Sequence, residues 1–366
     1  MTTVCFLLGG FQGNGGIGRV VSILAPALAE RPDLRIVTVS YLETDAPLLY
    51  PLPDRIIRRS LYHTPTSMTK AMLAGRAVAK LTAILKEEKA DLVVACGALY
   101  YPISILAARR AAVRCVCWEH TNPAATTDYR FQGLARRFAV KRADTVVVLT
   151  KAAERYYREV LKIRPEKLHQ LYNPVSPEAA RSRGYDLASR RILSVGRLSY
   201  QKNFSALLEV AARVLPSHPD WSWDIFGTGE EYESLSAKIE DKQLVGRVNL
   251  CGQVSDLYDR YARYAFQVMT SRYEGFPMSL LEGGVNRLPL VSFDIETGPD
   301  EIIEDGINGY LIAHGDIEAM ADRITALMEN EALRAAQSEQ SFALCQRFVL
   351  QEIVDRWCHE IFTPQP

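Results

Sequence analysis

What most constrains this chain is an alternation of short apolar runs with helical patterns that breaks off once and then begins again. Apolar, β-branched runs stand at 4–8 (VCFLL), 35–42 (RIVTVSYL), 91–97 (DLVVACG), 113–118 (VRCVCW) and 144–150 (DTVVVLT). Helical spacing fills the intervals near 17–30, 67–88, 102–111 and 131–142. Strands divided by helices in this way predict a parallel sheet covered on both faces. Residues 173–189 (NPVSPEAARSRGYDLAS) lack periodicity and are rich in Pro, Ser and Gly, as a linker is. After it the alternation restarts, with strands expected at 191–196, 221–227, 248–252, 266–271, 289–294 and 309–313. Helices are expected near 203–215, 230–241, 255–263 and from 277. The predicted fold class is α/β, two Rossmann-like parallel-sheet domains facing a central cleft, the first over 1–172 and the second over 173–344. A chain of 366 residues suits two such cores. Ligands of open parallel sheets sit beyond the carboxyl ends of the strands, so the cleft is the expected site. A further helical pattern, Ser341 to Phe362, lies far beyond the last strand.

Composition removes several classes of function. No apolar run approaches the ~18 residues of a membrane-spanning helix. The first residues lack a basic region and break into glycines after Leu8, which suits a buried strand better than a signal peptide. The seven cysteines are odd in number and mostly sit in apolar runs, so buried thiols of a reducing, cytoplasmic compartment are expected. No CxxC pair or histidine cluster has metal spacing, and no DxD carboxylate pair is present, so no metal is expected. The net charge is zero but unevenly spread: 25 Lys and Arg face 15 Asp and Glu over 1–180, against 18 and 28 over 181–366. A basic first half suits an anionic neighbour, although two solvated faces that differ by drift would read alike. No nucleic-acid reader motif accompanies the basic residues.

Gly13-Asn14-Gly15-Gly16-Ile17-Gly18 matches GxGxxG, where glycines let backbone amides approach a phosphate at a helix start. In a dehydrogenase the glycines would directly follow the strand, and an acid would close the second strand. Here four residues intervene and Glu43 comes late, which disfavours that class. Arg19 could add charge to this site or be an ordinary solvated helix residue. In the second half, Arg197 and Lys202 follow Gly196 at a strand end, an arrangement that suits a diphosphate and equally a surface pair. Glu274 through Glu282 reads EGFPMSLLE, with Pro277 suited to a first helical position. The amides near 276–279 would then favour a phosphate or a polarised sugar oxygen. Glu274 and Glu282 would repel phosphate, so bonding to sugar or ribose hydroxyls is the better role for them. A carboxylate that merely stabilises the helix start would explain Glu274 but not Glu282.

GR-xxxx-K, FGTGEE (226–231) and EGFPMSLLE, in this order and spacing, resemble retaining glycosyltransferase family four, which has the GT-B fold. The resemblance covers nearly the whole chain, including the glycine loop before Arg19, VVVLTKAAERYY (146–157), LYNPV (171–175) and PDEIIEDGINGYLI (299–312). It implies that Arg197 and Lys202 neutralise a donor diphosphate, Glu282 holds ribose hydroxyls and Glu274 the donor sugar. Gly275, Phe276, Pro277, Met278 and Ser279 would contact sugar and phosphates, and Val254, after Gly252 and Gln253, would meet the base. His120, in WEHTNP, takes the place of a family histidine that faces the donor sugar, though a structural imidazole would also fit. Gly15, Gly16 and Arg19 would close over the phosphates, and the terminal helix, 345–366, would pack back on the first domain. Two departures stand out. Gly283 and Gly284 replace the small-residue helix that usually follows the second glutamate; they would weaken that helix and could admit a close backbone or acceptor contact. DIETGPDEII (294–303) looks like the variant of bacterial surface-polysaccharide and lipopolysaccharide enzymes with UDP-galactose, UDP-N-acetylgalactosamine or related donors.

The expected activity is metal-free, retaining transfer of a hexose or N-acetylhexosamine from a UDP-sugar to a saccharide or lipid-linked saccharide. A sugar-nucleotide epimerase and a non-catalytic sugar-nucleotide-binding protein are the alternatives. Arg130, Arg136, Arg137, Lys141 and Arg142, interleaved with Phe131, Leu134, Phe138 and Val140, suggest peripheral contact with the anionic inner face of a membrane. A soluble helix packed on its apolar side would read alike.

Overall fold

The computed structural model describes residues 1–12, 16–63, 70–124, 130–181, 184–254 and 256–363. The chain divides into two compact units, Met1–Pro174 with Leu350–Pro366, and Val175–Val349.

The first unit runs β1 (Thr2–Leu8), α1 (Gly16–Leu28), β2 (Leu34–Glu43), β3 (Ile57–His63), α2 (Lys70–Glu87), β4 (Leu92–Cys96), α3 (Tyr101–Ala111) and β5 (Arg114–Trp118). It continues through α4 (Arg130–Arg142), β6 (Thr145–Val148), α5 (Lys151–Glu159) and β7 (Leu168–Gln170). The strands form one seven-stranded sheet in the order β3-β2-β1-β4-β5-β6-β7, every pair parallel. β4 is buried along its whole length, as a central strand covered by helices must be. β3 was not expected. Its Arg58 and Arg59 hide a strand whose cations are partnered from outside it: Arg58 by Glu43 of β2, and Arg59 Nε by Glu88 at 2.7 Å. The expected start of α2 near Ser67 lies outside the described residues. Thr150, at the cap of α5, accepts a bond from the Ala153 amide at 3.1 Å and so starts that helix.

The second unit runs β8 (Arg191–Val195), α6 (Phe204–Val214), β9 (Ser222–Phe226), α7 (Tyr232–Asp241), β10 (Val248–Gly252), α8 (Leu257–Arg260), β11 (Phe266–Met269), α9 (Met278–Val285), β12 (Leu290–Asp294), β13 (Gly309–Ala313), α10 (Ile317–Glu329) and α11 (Glu331–Cys345). Its six strands order as β10-β9-β8-β11-β12-β13, again all parallel. Phe204, Leu207, Leu208, Ala211 and Val214 of α6 are buried at helical spacing against the sheet core. Strand order reverses between β8 and β11, and in the first sheet between β1 and β4. Ligands of such sheets gather where the order reverses.

The pattern from Ser341 to Phe362 is not one helix. α11 ends at Cys345, a tight turn spans Gln346–Phe348, and extended Val349 precedes α12 (Leu350–Arg356) and a wider helical turn over Trp357–Phe362. This last stretch belongs to the first unit. Arg31 pairs with Asp355 at 3.2 Å, Arg356 donates to the Gln170 carbonyl at 2.8 Å, and Arg114 donates to the Ile361 carbonyl at 2.9 Å. Among the described residues, all seven cysteines are free and five are buried.

Candidate functional site

In the second unit the residues singled out by sequence gather at the strand reversal. The loop after β8 carries Gly196, Arg197 and Lys202, and the loop after β11 carries Glu274. Because β8 lies beside β11, these loops meet. The Lys202 ammonium bonds Glu274 Oε1 at 2.6 Å, with both side chains largely buried. Gln201 Nε2 donates to the Tyr273 carbonyl at 2.9 Å, and the Arg272 amide donates to the Gln201 carbonyl at 2.8 Å. Arg272 also reaches Asn203 Oδ1 at 2.7 Å and lies over the Tyr200 ring at 4.4 Å. Thr297 Oγ1 donates to the Glu274 carbonyl, tying in the loop after β12. Gly196 leaves room for the Lys202 stem, whose Cδ stands 3.1 Å from where a Cβ would be.

The FGTG turn after β9 seats against the β8 loop. The Leu198 amide donates to the Thr228 carbonyl, and the Glu231 amide to the Leu198 carbonyl, both at 3.0 Å. Gly227 has φ +139, and a Cβ there would stand 1.9 Å from the Gly196 carbonyl oxygen, so only glycine fits. Arg197 pairs with Glu230 at 3.2 Å, and both side chains are more than half exposed. Such a screened pair exchanges readily for a stronger anion.

Pro277 caps α9 and is not its first helical residue. The amides of Leu280 and Leu281 both bond its carbonyl, at 3.0 and 3.2 Å. The amides of Met278 and Ser279 thus precede the first helical bonds, at the positive end of the helix. Ser279 Oγ is buried there without a partner among the described residues. Glu282, fully buried in α9, receives the Tyr261 hydroxyl at 3.2 Å, with Tyr258 at 3.5 Å. These tyrosines on the β10–β11 connection were not anticipated, because no motif marks them. Gly275 and Phe276 lie in the same loop as Glu274, and Val254 follows the end of β10, half-buried. The α9 glycines serve the interior and not an acceptor. A Cβ at Gly283 would meet Gln267 Oε1 at 2.0 Å, and one at Gly284 would meet Cys345 Sγ at 2.3 Å.

In the first unit, Gly15 lies outside the described residues, as do Gly13 and Asn14. Gly16 begins α1, and Arg19 is half-buried one turn on. His120 follows β5 and packs at a tilt against Trp118, ring centroids 4.2 Å apart. Trp118 in turn packs edge-on to Trp357 at 4.7 Å. The residue is half-buried, but its Nε2 is buried without a partner among the described residues. Burial pulls the imidazole down to about 3 against the charge of adjacent Glu119, so it is neutral.

One expected surface cation is not on the surface. Arg136 is 1% exposed and turned inward, its Nε on Glu119 Oε2 at 2.6 Å. Burial alone would raise the Glu119 carboxyl. The Arg136 charge, with bonds from Arg136, Thr121 and Tyr157, outweighs burial and holds it below the usual range. On α4 the other four, Arg130, Arg137, Lys141 and Arg142, are exposed, with Phe131 55% and Leu134 67% exposed beside them. Phe138 and Val140 pack against the core. Among the described residues, no helix is long and apolar enough to cross a membrane, and no three His, Cys, Asp or Glu side chains are grouped to hold a metal.

Residues 176–343 match the family Glycosyl transferases group 1, and residues 14–179 match Glycosyltransferase Family 4. A glycosyltransferase of Haemophilus influenzae is 25% identical over 358 residues, 98% of this chain and 99% of that protein. The amylovoran biosynthesis glycosyltransferase AmsD of Erwinia amylovora is 27% identical over 366 residues, again 98% and 99%. Among solved structures, the Anabaena protein HepE in complex with UDP and glucose superimposes with a TM-score of 0.83 at 20% identity, covering both chains completely. Matched in both halves and along the full length of these relatives, the chain belongs to the family 4, group 1 glycosyltransferases and has their GT-B fold.

Proposed function

We propose that this glycosyltransferase moves a hexose or N-acetylhexosamine from a UDP-sugar to a saccharide or lipid-linked saccharide, with retention and without a metal. The observation that carries the reading is the Lys202–Glu274 pair in the loop that leads into α9, at the strand reversal of the second unit. An ammonium has three donors, so Lys202 can keep Glu274 and still bond phosphate oxygens. Arg197, released from Glu230, adds a planar cation, and the Met278 and Ser279 amides add fixed dipoles. Together they supply the charge that a metal supplies elsewhere. One such preorganised donor is typically worth about 3–4 kcal/mol. Glu274 is left to orient the sugar, Glu282 with Tyr261 to hold the ribose, and Val254 to meet the base. His120, Gly16 and Arg19 also act in transfer. In a front-face route the bond from the anomeric carbon to the diphosphate breaks as the acceptor oxygen bonds the same face. The acceptor proton passes to the departing diphosphate. UDP and glucose in the Anabaena protein support the donor class, and the amylovoran relative supports a saccharide acceptor.

The test is release and transfer from UDP-, GDP- and ADP-sugars, with and without EDTA, in the parent and Glu282→Ala. Expected is EDTA-insensitive transfer from one UDP-sugar with the α or β configuration kept by NMR, and loss in the variant. Inversion, a metal requirement or binding of no nucleotide sugar overturns the reading. Conversion of the donor without acceptor would mark an epimerase instead. The four exposed cations of α4 with Phe131 and Leu134 support peripheral docking at the inner membrane face, at about 1 kcal/mol for each cation. Failure to float with anionic liposomes removes that part.

A further inference from the structure

We propose that Glu119, Arg136, Tyr157 and Thr121 are a built-in clamp that positions His120. The inference rests on His120 acting in transfer, as proposed above.

Glu119 and His120 are consecutive, directly after β5. The Glu119 amide still belongs to the sheet, donating to the Val147 carbonyl at 2.8 Å. Its carboxylate is 1% exposed and takes bonds from three separate places. From α4, Arg136 Nε reaches it at 2.6 Å and Nη2 at 3.3 Å. From α5, the Tyr157 hydroxyl donates at 2.9 Å. From its own loop, Thr121 donates through Oγ1 at 2.8 Å and through its amide at 3.2 Å. Arg136 Nη2 closes the ring of bonds on Thr121 Oγ1 at 2.8 Å.

A carboxylate has about four lone-pair sites. Those of Glu119 are filled, so it has no capacity left for a substrate and is not itself an acid or base. Its bonds fix the main chain on both sides of His120: the 119 amide in the sheet, and the 121 amide folded back onto the 119 side chain. The imidazole between them meets a different environment. It rests on Trp118, itself backed by Trp357, and its Nε2 has no partner among the described residues. Saturated bonding on one residue and an unspent nitrogen on the next is what a rigid mount for a neutral imidazole requires. Stability alone is a weak reason to bury such a pair, because well-packed apolar residues often serve as well. Geometry is the stronger reason: a displacement of about 1 Å at a reacting group can cost about 10²-fold in rate.

The test uses the full chain with Glu119→Gln and Arg136→Met combined, which removes both charges and leaves neither uncompensated. Four readouts are taken: thermal unfolding, UDP binding by calorimetry, kcat and KM for transfer, and the pH titration of the His120 ring by nitrogen-15 NMR, assigned through His120→Asn. The expected double variant melts near the parent and binds UDP within about 2-fold. Its kcat falls about 10²-fold with little change in donor KM. Added to His120→Ala, the same changes cost nothing further, because both act on one element. Losing the Glu119 charge alone would lower the ring further, but release of the mount lets water reach it, and burial is the larger cause, so its titration rises from about 3. Parent kcat in the folded variant, or a loss that adds to that of His120→Ala, overturns the clamp. If the double variant does not fold, Tyr157→Phe and Thr121→Ala each remove a bond, and parent kcat in both overturns it equally. If the parent neither binds UDP nor transfers sugar, the transfer reading has failed. An unmoved His120 titration in the double variant then separately refutes the clamp.

Discussion

Each unit holds a buried ion pair just past the carboxyl end of a strand, and the two pairs are built for different ends. In the first unit, Glu119 and Arg136 are 1% and 2% exposed at their side chains, and the carboxylate is saturated by Tyr157 and Thr121. In the second, Lys202 and Glu274 are 17% and 8% exposed and sit where the strand order reverses. Lys202 has donors to spare, and the loop that carries its partner Glu274 leads into the start of α9. A closed pair is architecture that nothing from outside can enter. An open pair can exchange part of its bonding for a ligand without leaving a charge bare. The contrast shows how one kind of interaction can either aim a neighbouring side chain or receive an anion, according to how many of its bonds are already made.

The comparison breaks most visibly at Glu119→Ala. Leaving Arg136 buried without its counterion is expected to cost about 3–5 kcal/mol, read as a large fall in the midpoint of urea unfolding. A change below about 1 kcal/mol would mean that the first pair is no more closed than the second. Lys202→Ala should behave in the opposite way, with turnover falling about 10²–10³-fold while the melting point shifts little. Acid sharpens the difference further. Glu119 is held below the ordinary glutamate range, so its contribution is complete above about pH 4.3 and is lost as pH falls through the lowered value. His120 acts in the same direction, since a buried neutral ring at about 3 makes folding weaker as pH drops from about 6.5. The parent should therefore lose stability on going from pH 7 to 3 faster than Glu119→Gln/Arg136→Met, in denaturation series at each pH. The smallest effect belongs to Arg197→Ala. Its exposed pair with Glu230 should leave the melting point within about 0.5 kcal/mol, while UDP affinity falls.

Much of this was legible in the residues, and the exceptions share a cause. Central strands such as β4 announce themselves because both faces are covered and every position is apolar. β3 did not, because its arginines find Glu43 and Glu88 from elsewhere, a partnership no local pattern records. Arg136 misled for the same reason. In the sequence it is one cation among five, and only the packing of α4 turns it toward Glu119. At the second site the spacing of Arg197, Lys202, Glu274 and Glu282 was visible, but the Lys202–Glu274 contact depends on β8 lying beside β11. The α9 glycines suggested a place for an acceptor until Gln267 and Cys345 were seen to occupy that space.

The placement of Trp357 carries a consequence for how the molecule comes into being. The indole beneath Trp118, and with it the support under His120, arrives from residues that leave the ribosome after the whole second unit. Chains generally fold as they emerge, amino-terminal portion first. Here the first sheet must wait, unfinished at one wall, for a segment made after the second unit. The order of synthesis and the order of completion run in opposite directions, so a nascent chain cannot present a finished His120 before the second unit has been made.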